Sequence, residues 1–551
     1  MKKISILWVL LCIVACQPSA DLDVAEQSIT ETSLLNHIEV LSSDDFEGRA
    51  PATRGEDLTV DYLIGQLEEM GIDPGMSDGT YTQAVPLLSQ SVDRSNATLN
   101  IRKNGEVVDQ LDYSMEFMAW PSNEAAEVRI QDAEVIYVGY GIQAPEFDWD
   151  DYKDVDVAGK ILVFKNSDPS HDPEIFEGNA RLYYGRWSYK FEKAEEMGAL
   201  GAIIIHTPQT AGYPWLVVSN SWGRERFSLK SGDTMNGTRP EFNSWLTQRS
   251  SSRLLEHGGL SLPDALDAAT SRDFSPILLE GVTIDVELNA EYDDMSTRNV
   301  IGKIEGSDPT LQDEYVIFST HYDHLGVTFP VDGDSINNGA LDNASGVSGI
   351  LETAKALKSV EGDLRRSVLF MFVGAEEMGL LGSLYWSQNP TVHPGKVSAN
   401  INLDSIQIFG ETNDMVLIGY GRNSLTEIFE SHIEDAGRVA VRDLQPEQGF
   451  FYRSDHFSYA RIGIPAIYPN GGNDFIGKPE GWAATVDSVR ATNYHSVSDE
   501  INDFWDMSGM ESDVRLVLRA SFDIINRDEM MTWTPGDEFE AIRLNYLQEL
   551  E

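Results

Sequence analysis

The stretch RSVLFMFVGAEEMGLLGSLYWSQN, residues 366–389, passes from an apolar run to two adjacent acids, Glu376 and Glu377, and on into a second apolar segment. The run 367–373 is short and rich in β-branched and aromatic side chains, as a strand covered on both faces is. Residues 379–389 then read as a helix that begins with glycine and leucine. Side-by-side carboxylates repel, and no lysine or arginine stands between Arg366 and Lys396 to offset them. Placing both at the end of a buried strand calls for a compensating positive charge from elsewhere.

The same strand-to-helix rhythm extends outward from this stretch. EYVIFSTHYDH (314–324) reads as a strand and ASGVSGILETAKALKSV (344–360) as a helix. VSANINLDS (397–405), DMVLIGYG (414–421) and GIPAIYP (463–469) read as strands. SLTEIFESHIEDAG (424–437) and DVRLVLRASFDIINR (513–527) are helical. Strands alternating with helices imply an α/β fold with a mainly parallel mixed sheet sandwiched by helices, and ligands bind at the carboxyl edge of such sheets. Four predicted strand-to-helix junctions carry histidine or carboxylate at that edge. They bring His321 and Asp323, Asp342, Glu376 and Glu377, and Asp404, while His495 follows in NYHSVSDE (493–500).

Composition narrows the chemistry. The chain has 551 residues, 41% of them hydrophobic, with 90 acids against 40 lysines and arginines, a formal charge of −50. That balance argues against nucleic acid, whose phosphates need a basic face. MKK followed by ISILWVLLCIVAC reads as an export signal, too short for a comfortable membrane span. Its end, residues 13–16, resembles a bacterial lipoprotein cleavage box. That resemblance implies lipidation of Cys16 and a protein held at a bacterial membrane, with the outer membrane facing the periplasm as the expected site. The other cysteine, Cys12, lies in the segment to be removed. Any metal site is therefore built from His, Asp and Glu, donors that suit zinc, with manganese or cobalt as substitutes. Two such ions bridged by one carboxylate would explain the acid pair: one glutamate binds metal and the other handles protons.

Elsewhere, residues 17–30 are polar and acidic and read as a tether. Residues 31–75 look helical, with Gly71 as a stop, and 95–130 alternate as strands do. DVAGKILVF (156–164) and KAEEMGALGAIII (193–205) belong to a further α/β module. Glu195 and Glu196 in it form another acid pair, placed mid-helix and read as solvent-facing.

The pieces HYDH, GALDNASG, GAEEMGLLGS, NLD, RSDHFSYARIGIPAI and YHSVSDE, in this order, resemble the co-catalytic di-zinc aminopeptidases. That family includes aminopeptidase Y, bacterial leucyl aminopeptidases and, more remotely, glutamate carboxypeptidase. The module around 156–205 resembles the protease-associated domain inserted in several exopeptidases. The resemblance implies a zinc exopeptidase fold at 31–127 and 286–551, an insert at 128–285, and removal of N-terminal residues from peptides with free N-termini. It implies that Asp342 bridges two Zn2+, that His321 and Asp404 complete one site and Glu377 and His495 the other, and that Glu376 is the general base. Asp323 is expected to hydrogen-bond a ligand imidazole, and His324 to support the site or the fold. Tyr494 matches an oxyanion-stabilising tyrosine, with Tyr452 as its rival. Asp455 and His456 fall in the pocket surroundings, and Asn343 or Ser345 caps the helix that follows. Ser405 departs from the apolar residue, often Met, that follows the ligand aspartate in relatives. Two alternatives share the fold: a glutaminyl-cyclase-like acyltransferase with one zinc, and a carboxypeptidase, which needs a basic pocket that Arg422, Arg442, Arg453 or Arg461 would furnish.

Overall fold

Three buried strands, Tyr315–His321, Ser367–Val373 and Val397–Asn402, run parallel at the centre of the computed structural model, with His321 opposite Val373 and Ser319 opposite Asn402. The structure describes residues 22–170, 175–211, 213–222, 225–230 and 239–550. Alternation along these strands divides the core in two. Val316, Phe318, Val368, Phe370, Phe372, Ala399 and Ile401 face one set of helices. Ile317, Leu369, Met371 and Val373 face Trp386 and Tyr459 on the other side. The sheet continues outward from Val397–Asn402 through Ala466–Gly471 (parallel), Asp414–Ile418 (antiparallel) and Val439–Val441. From Ser367–Val373 it continues through the antiparallel strands Ile277–Ile304, Thr82–Val92 and Arg226–Leu229. The expected α/β architecture, a largely parallel mixed sheet between helices, is what the chain adopts.

The helices on the first face are amphipathic and locally specified. In Arg54–Met70, Glu56, Val60, Leu63 and Leu67 are buried at intervals of three and four residues. Thr53 caps its first turn and Gly71 ends it at φ 70°, a left-handed stop that glycine takes without a Cβ penalty. Glu31–Leu41, Gly346–Ser359, Leu425–Asp435 and Ser508–Asn526 complete that face.

Two expectations are corrected. Residues 22–30 are no tether. Leu22–Gln27 is a helix, Ala25 and Ile29 are buried, Arg519 pairs with Asp23 at 2.6 Å, and Arg515 donates to the Ile29 carbonyl at 2.7 Å. Apolar residues four apart supplied a buried stripe, and arginines of the last long helix supplied counter-charge. The expected signal segment with Cys16, and residues 17–21, lie outside the described residues.

The boundary of the second module also moves. Its sheet holds Glu127–Tyr137, Ile161–Lys165, Gly201–Ile205 and Phe242–Leu246 in parallel, with Phe117–Pro121 antiparallel at the edge. The hairpin Thr98–Lys103/Glu106–Leu111 pairs with the first half of Ile277–Ile304. Residues from about 98 onward thus join this sheet rather than the first one, and 28-residue Ile277–Ile304 serves both. Alternation identified the strands at 95–130 but carries no information about which sheet they enter. Within the module, Glu196 is exposed and pairs with Lys193 at 2.7 Å, whereas Glu195 is half-buried.

This module leans on the first sheet near its carboxyl edge. The Arg181 N–H donates to the Pro446 carbonyl at 3.0 Å, the Tyr183 ring lies 5.1 Å from that of Phe457, and Arg461 pairs with Glu192 at 3.2 Å. Among the described residues no helix is long and apolar enough to cross a membrane.

Candidate metal centre

His321 is the last residue of its strand, and Asp404 follows Val397–Asn402 by two positions. Glu376 and Glu377 follow Ser367–Val373 through Gly374 and Ala375, and Ala375 sits at φ 58°. Ser405 (φ 47°) and His495 (φ 55°) are also left-handed. Non-glycine residues rarely take that conformation, and its cost is met where surrounding contacts hold it. Here the loops are strapped together. Asn343 Oδ1 accepts the Gly346 N–H at 2.8 Å, the expected cap, and also the Ser405 N–H at 3.0 Å. Asp499 accepts the N–H groups of Leu341 and Asp342 at 3.0 and 2.9 Å. Buried Arg49 donates to the carbonyls of Tyr322, Asn338 and Gly339.

The six expected side chains converge. Asp342 Oδ1 lies 3.3 Å from His321 Nε2, which is itself 3.5 Å from Asp404 Oδ1. Asp342 Oδ2 lies 3.4 Å from His495 Nε2, which is 2.9 Å from Glu377 Oε2. Glu376 Oε2 stands 4.0 Å from His321 Nε2. Each oxygen of Asp342 thus heads its own histidine–carboxylate set. His321, Asp342 and Asp404 offer ligand atoms within 4.8 Å of one another, as do His324, Asp342 and Glu377. Tetrahedral zinc with bonds near 2.0–2.1 Å separates its ligands by about 3.3–3.4 Å, longer than an ordinary hydrogen bond. Two of the four ligand separations above have that length and a third, 3.5 Å, lies just beyond it, so the donors fit divalent ions.

Charge leads to the same conclusion. Asp342, Glu376, Glu377 and Asp404 share one pocket, with no lysine or arginine within ion-pair distance of any of them among the described residues. In the protein alone, burial pushes the Glu376 carboxyl well up, with Glu377 and Asp455 adding to the effect against His321. Burial also works against ionised Glu377, yet His495 and His324 hold it down at about 2. Burial opposes charge on His495, but Glu377 and Asp342 raise it to about 10. The two glutamates therefore sit in different electrostatic settings, one suited to a ligand and one to a proton acceptor.

Several placements differ from expectation. Asp323 does not grip the His321 imidazole through its carboxylate: Nδ1 faces the Asp323 carbonyl oxygen at 3.1 Å and is 3.9 Å from Oδ1. The carboxylate instead accepts the N–H groups of Glu376 (3.0 Å) and Glu377 (3.3 Å). His324 Nδ1 contacts Glu377 Oε1 at 2.6 Å. Tyr494 is half-exposed and stacks on the His495 ring, centroids 3.8 Å apart. Tyr452 is buried, and its hydroxyl is engaged by Glu538 and Arg422 rather than by the cluster. Ser405 Oγ lies 3.1 Å from Asp404 Oδ1, and Ser454 Oγ donates to Asp404 Oδ2 at 2.6 Å. Asp455 and His456 are fully buried, and Asp455 acts electrostatically on Glu376 and His321.

Sequence reasoning missed Tyr468, whose hydroxyl donates to the Asp404 carbonyl, and Arg49 and Asp499. Tyr468 lies in GIPAIYP, read as a strand, and Asp499 in YHSVSDE, one of the motifs. Only Arg49 stands far from any of them.

Comparison with known proteins finds relatives of this part of the chain. Leupeptin-inactivating enzyme 1 of Streptomyces exfoliatus is 29% identical over 179 residues, 31% of this chain and 39% of that protein. Aminopeptidase YwaD of Bacillus subtilis is 29% identical over 190 residues, 34% of this chain and 38% of that protein. The chain thus spans about two-fifths of the length of these curated relatives. The solved aminopeptidase of Aneurinibacillus sp. strain AM-1 aligns over 91% of this chain and 96% of its own, at 19% identity and a TM-score of 0.49. Residues 299–518 match the model of peptidase family M28, and every side chain of the cluster, from His321 to His495, lies inside the matched segment.

Proposed function

We propose that the protein is a metal-dependent aminopeptidase that binds two Zn2+ ions through His321, Asp342, Asp404, Glu377 and His495. The observation that carries this is Asp342, whose two oxygens each face a separate histidine–carboxylate set. The aminopeptidases among its relatives agree with it. Divalent ions held there would polarise the scissile carbonyl and draw the pKa of water toward neutrality. Glu376, 4.0 Å from His321 and held toward the protonatable range by burial, takes the proton of the attacking water and returns it to the departing amine. The Tyr494 hydroxyl hydrogen-bonds the carbonyl oxygen as it gains charge, the contribution that usually dominates. The acid-lined pocket attracts the substrate's ammonium group, so residues leave one at a time from the N-terminus.

The second sheet is proposed to be a protease-associated domain that borders the cleft, and Cys16 to be the site of a lipid anchor. The test is a panel of aminoacyl-chromogenic and N-blocked peptides with and without chelator. Release restricted to free N-termini and abolished by chelator is the expected result. Equal cleavage of blocked peptides would count against an aminopeptidase. One zinc per chain with pyroglutamate as product would instead indicate the cyclase-like acyltransferase, and release from the C-terminus the carboxypeptidase.

A further inference from the structure

Ser319, Asn400, Asn402 and Ser454 are polar side chains at places inside the molecule where apolar ones would pack. Ser319 precedes His321 by two positions, and Asn400 and Asn402 precede Asp404 by four and two. Residues two apart on a strand share a face, so Ser319 and both asparagines lie on the side of the sheet lined by Ile317, Leu369, Met371 and Val373. Asn402 stands opposite Ser319 across the parallel pair. These three are fully buried, and Ser454 is 3% exposed. Asparagine is depleted in strands, and a buried polar group costs free energy unless it is hydrogen-bonded.

The side chains are hydrogen-bonded in a row. Ser454 Oγ donates to Asp404 Oδ2 at 2.6 Å. Asn402 Nδ2 donates to Ser454 Oγ at 2.8 Å, and Asn402 Oδ1 accepts from Ser319 Oγ at 2.7 Å. Asn400 Nδ2 donates to Ser319 Oγ at 2.9 Å. The direction of the row follows from its far end. An ionised carboxylate only accepts, so the single hydroxyl hydrogen of Ser454 goes to Asp404. The Ser454 oxygen must then accept, which turns the N–H side of the Asn402 amide toward it. The Asn402 oxygen is left facing Ser319, whose hydrogen goes there, and Ser319 in turn accepts from Asn400. Every hydrogen in the row points toward Asp404, and bonds aligned in this way polarise one another. With Oδ2 held by Ser454, Asp404 presents Oδ1 to His321 Nε2 at 3.5 Å and to the donor set that both form with Asp342. At the other end Asn400 Oδ1 has no hydrogen-bond partner among the described residues.

We propose that Asn400, Ser319 and Asn402 are positioning residues for the Asp404 carboxylate, acting on it through Ser454 as one hydrogen-bonded unit. This rests on the ion-binding role proposed above for Asp404. The unit decides which oxygen of Asp404 faces the ion, because turning the carboxylate away would strand a buried row of donors without their final acceptor. It also explains why the centre of an otherwise apolar sheet keeps two asparagines and a serine: the strand positions that lead up to His321 and Asp404 carry the support for the ligand at their end.

The experiment measures zinc dissociation constants by competition with a chromogenic chelator on the parent chain and on Ser319→Ala, Ser454→Ala, the double variant and Ser398→Ala. Ser454→Ala weakens one of the two ions by about 10- to 100-fold and leaves the other unchanged. Ser319→Ala weakens the same ion by about three- to tenfold, although three hydrogen bonds separate it from Asp404. The double variant matches Ser454→Ala within about twofold, because the last link is already gone. Ser398→Ala, on the same strand as the asparagines, gives up only the bond from the Met531 N–H at 3.1 Å and binds both ions as the parent does. Denaturant midpoints of the zinc-free proteins read the cost to the fold separately, and a purely structural role lowers those midpoints while leaving the zinc constants in place. Parental affinity in Ser319→Ala, full additivity in the double variant, or an equal loss in Ser398→Ala overturns the unit while leaving the ion site standing. A parent chain that binds no zinc overturns the ion-binding role instead.

Discussion

The carboxylate of Asp323 accepts the backbone N–H of Glu376 at 3.0 Å, two residues beyond the histidine it was expected to orient. It also takes the N–H of Glu377. One buried acid in the loop after one strand therefore fixes the backbone of both glutamates in the loop after its neighbour. Asp323→Asn loses one of these acceptors and should lower kcat by about 10- to 100-fold, the range typical of groups that orient a metal site. Metal content, measured by elemental analysis, should stay close to that of the parent.

Glu376→Gln keeps the shape of the pocket and removes the proton acceptor. Metal content should be retained, and kcat should fall by about 10²–10⁴. Single-turnover rates with an aminoacyl-anilide provide the check, and a variant within about tenfold of the parent would assign the base elsewhere.

Asp342 and its partners should separate by stoichiometry. Asp342→Asn touches both donor sets and should leave less than one ion per chain. Asp404→Asn or His495→Ala touches one set and should retain about one ion. Equal losses in all three variants would argue against a shared carboxylate.

The two tyrosines should divide function from stability. Tyr494→Phe removes a donor from the cluster side and should cost about 10²-fold in kcat. Tyr452→Phe breaks the contact with Glu538 and Arg422 and should instead lower unfolding free energy by about 1–2 kcal/mol, with kcat largely kept. Denaturant midpoints and steady-state kinetics on both variants distinguish these outcomes.

His456 is fully buried, and burial, aided by Arg422, lowers its pKa to about 3. Below its ordinary value of about 6.5 the unfolded chain takes up a proton that the folded chain refuses. Its contribution therefore leaves stability unaffected above about pH 6.5 and removes about 1.4 kcal/mol for each pH unit between there and 3. His456→Gln should flatten the fall in denaturant midpoint between pH 7 and pH 5.

Local pattern made the half that carries the cluster legible. Buried runs such as 315–321 and 367–373 announce strands, and acids or histidines at their ends announce a shared edge. Long-range partnerships left no such trace. Asp499 straps Leu341 and Asp342 across more than 150 positions, and Tyr468 reaches the Asp404 carbonyl from a neighbouring strand. The difference between Tyr452 and Tyr494 is likewise one of which way a hydroxyl turns. The helix Trp482–Asn493 went unread because Val486 is its one buried residue, so it shows little of the apolar spacing that marks a helix. Residues 98–121 were read as strands and placed with the first domain, because the sheet they enter is decided by pairing with Ile277–Ile304 and Phe242–Leu246, far away in sequence.

That 28-residue strand pairs with Thr98–Lys103 and Glu127–Tyr137 along its first half and with Thr82–Val92 and Ser367–Val373 along its second. It works as a common beam beneath two roofs. Neither roof can be lifted off by cutting a hinge, because the beam itself would have to be severed within a hydrogen-bonded ladder. Amide exchange in the two halves should accordingly share one slow opening, and the module that borders the cleft moves with the floor that carries the cluster.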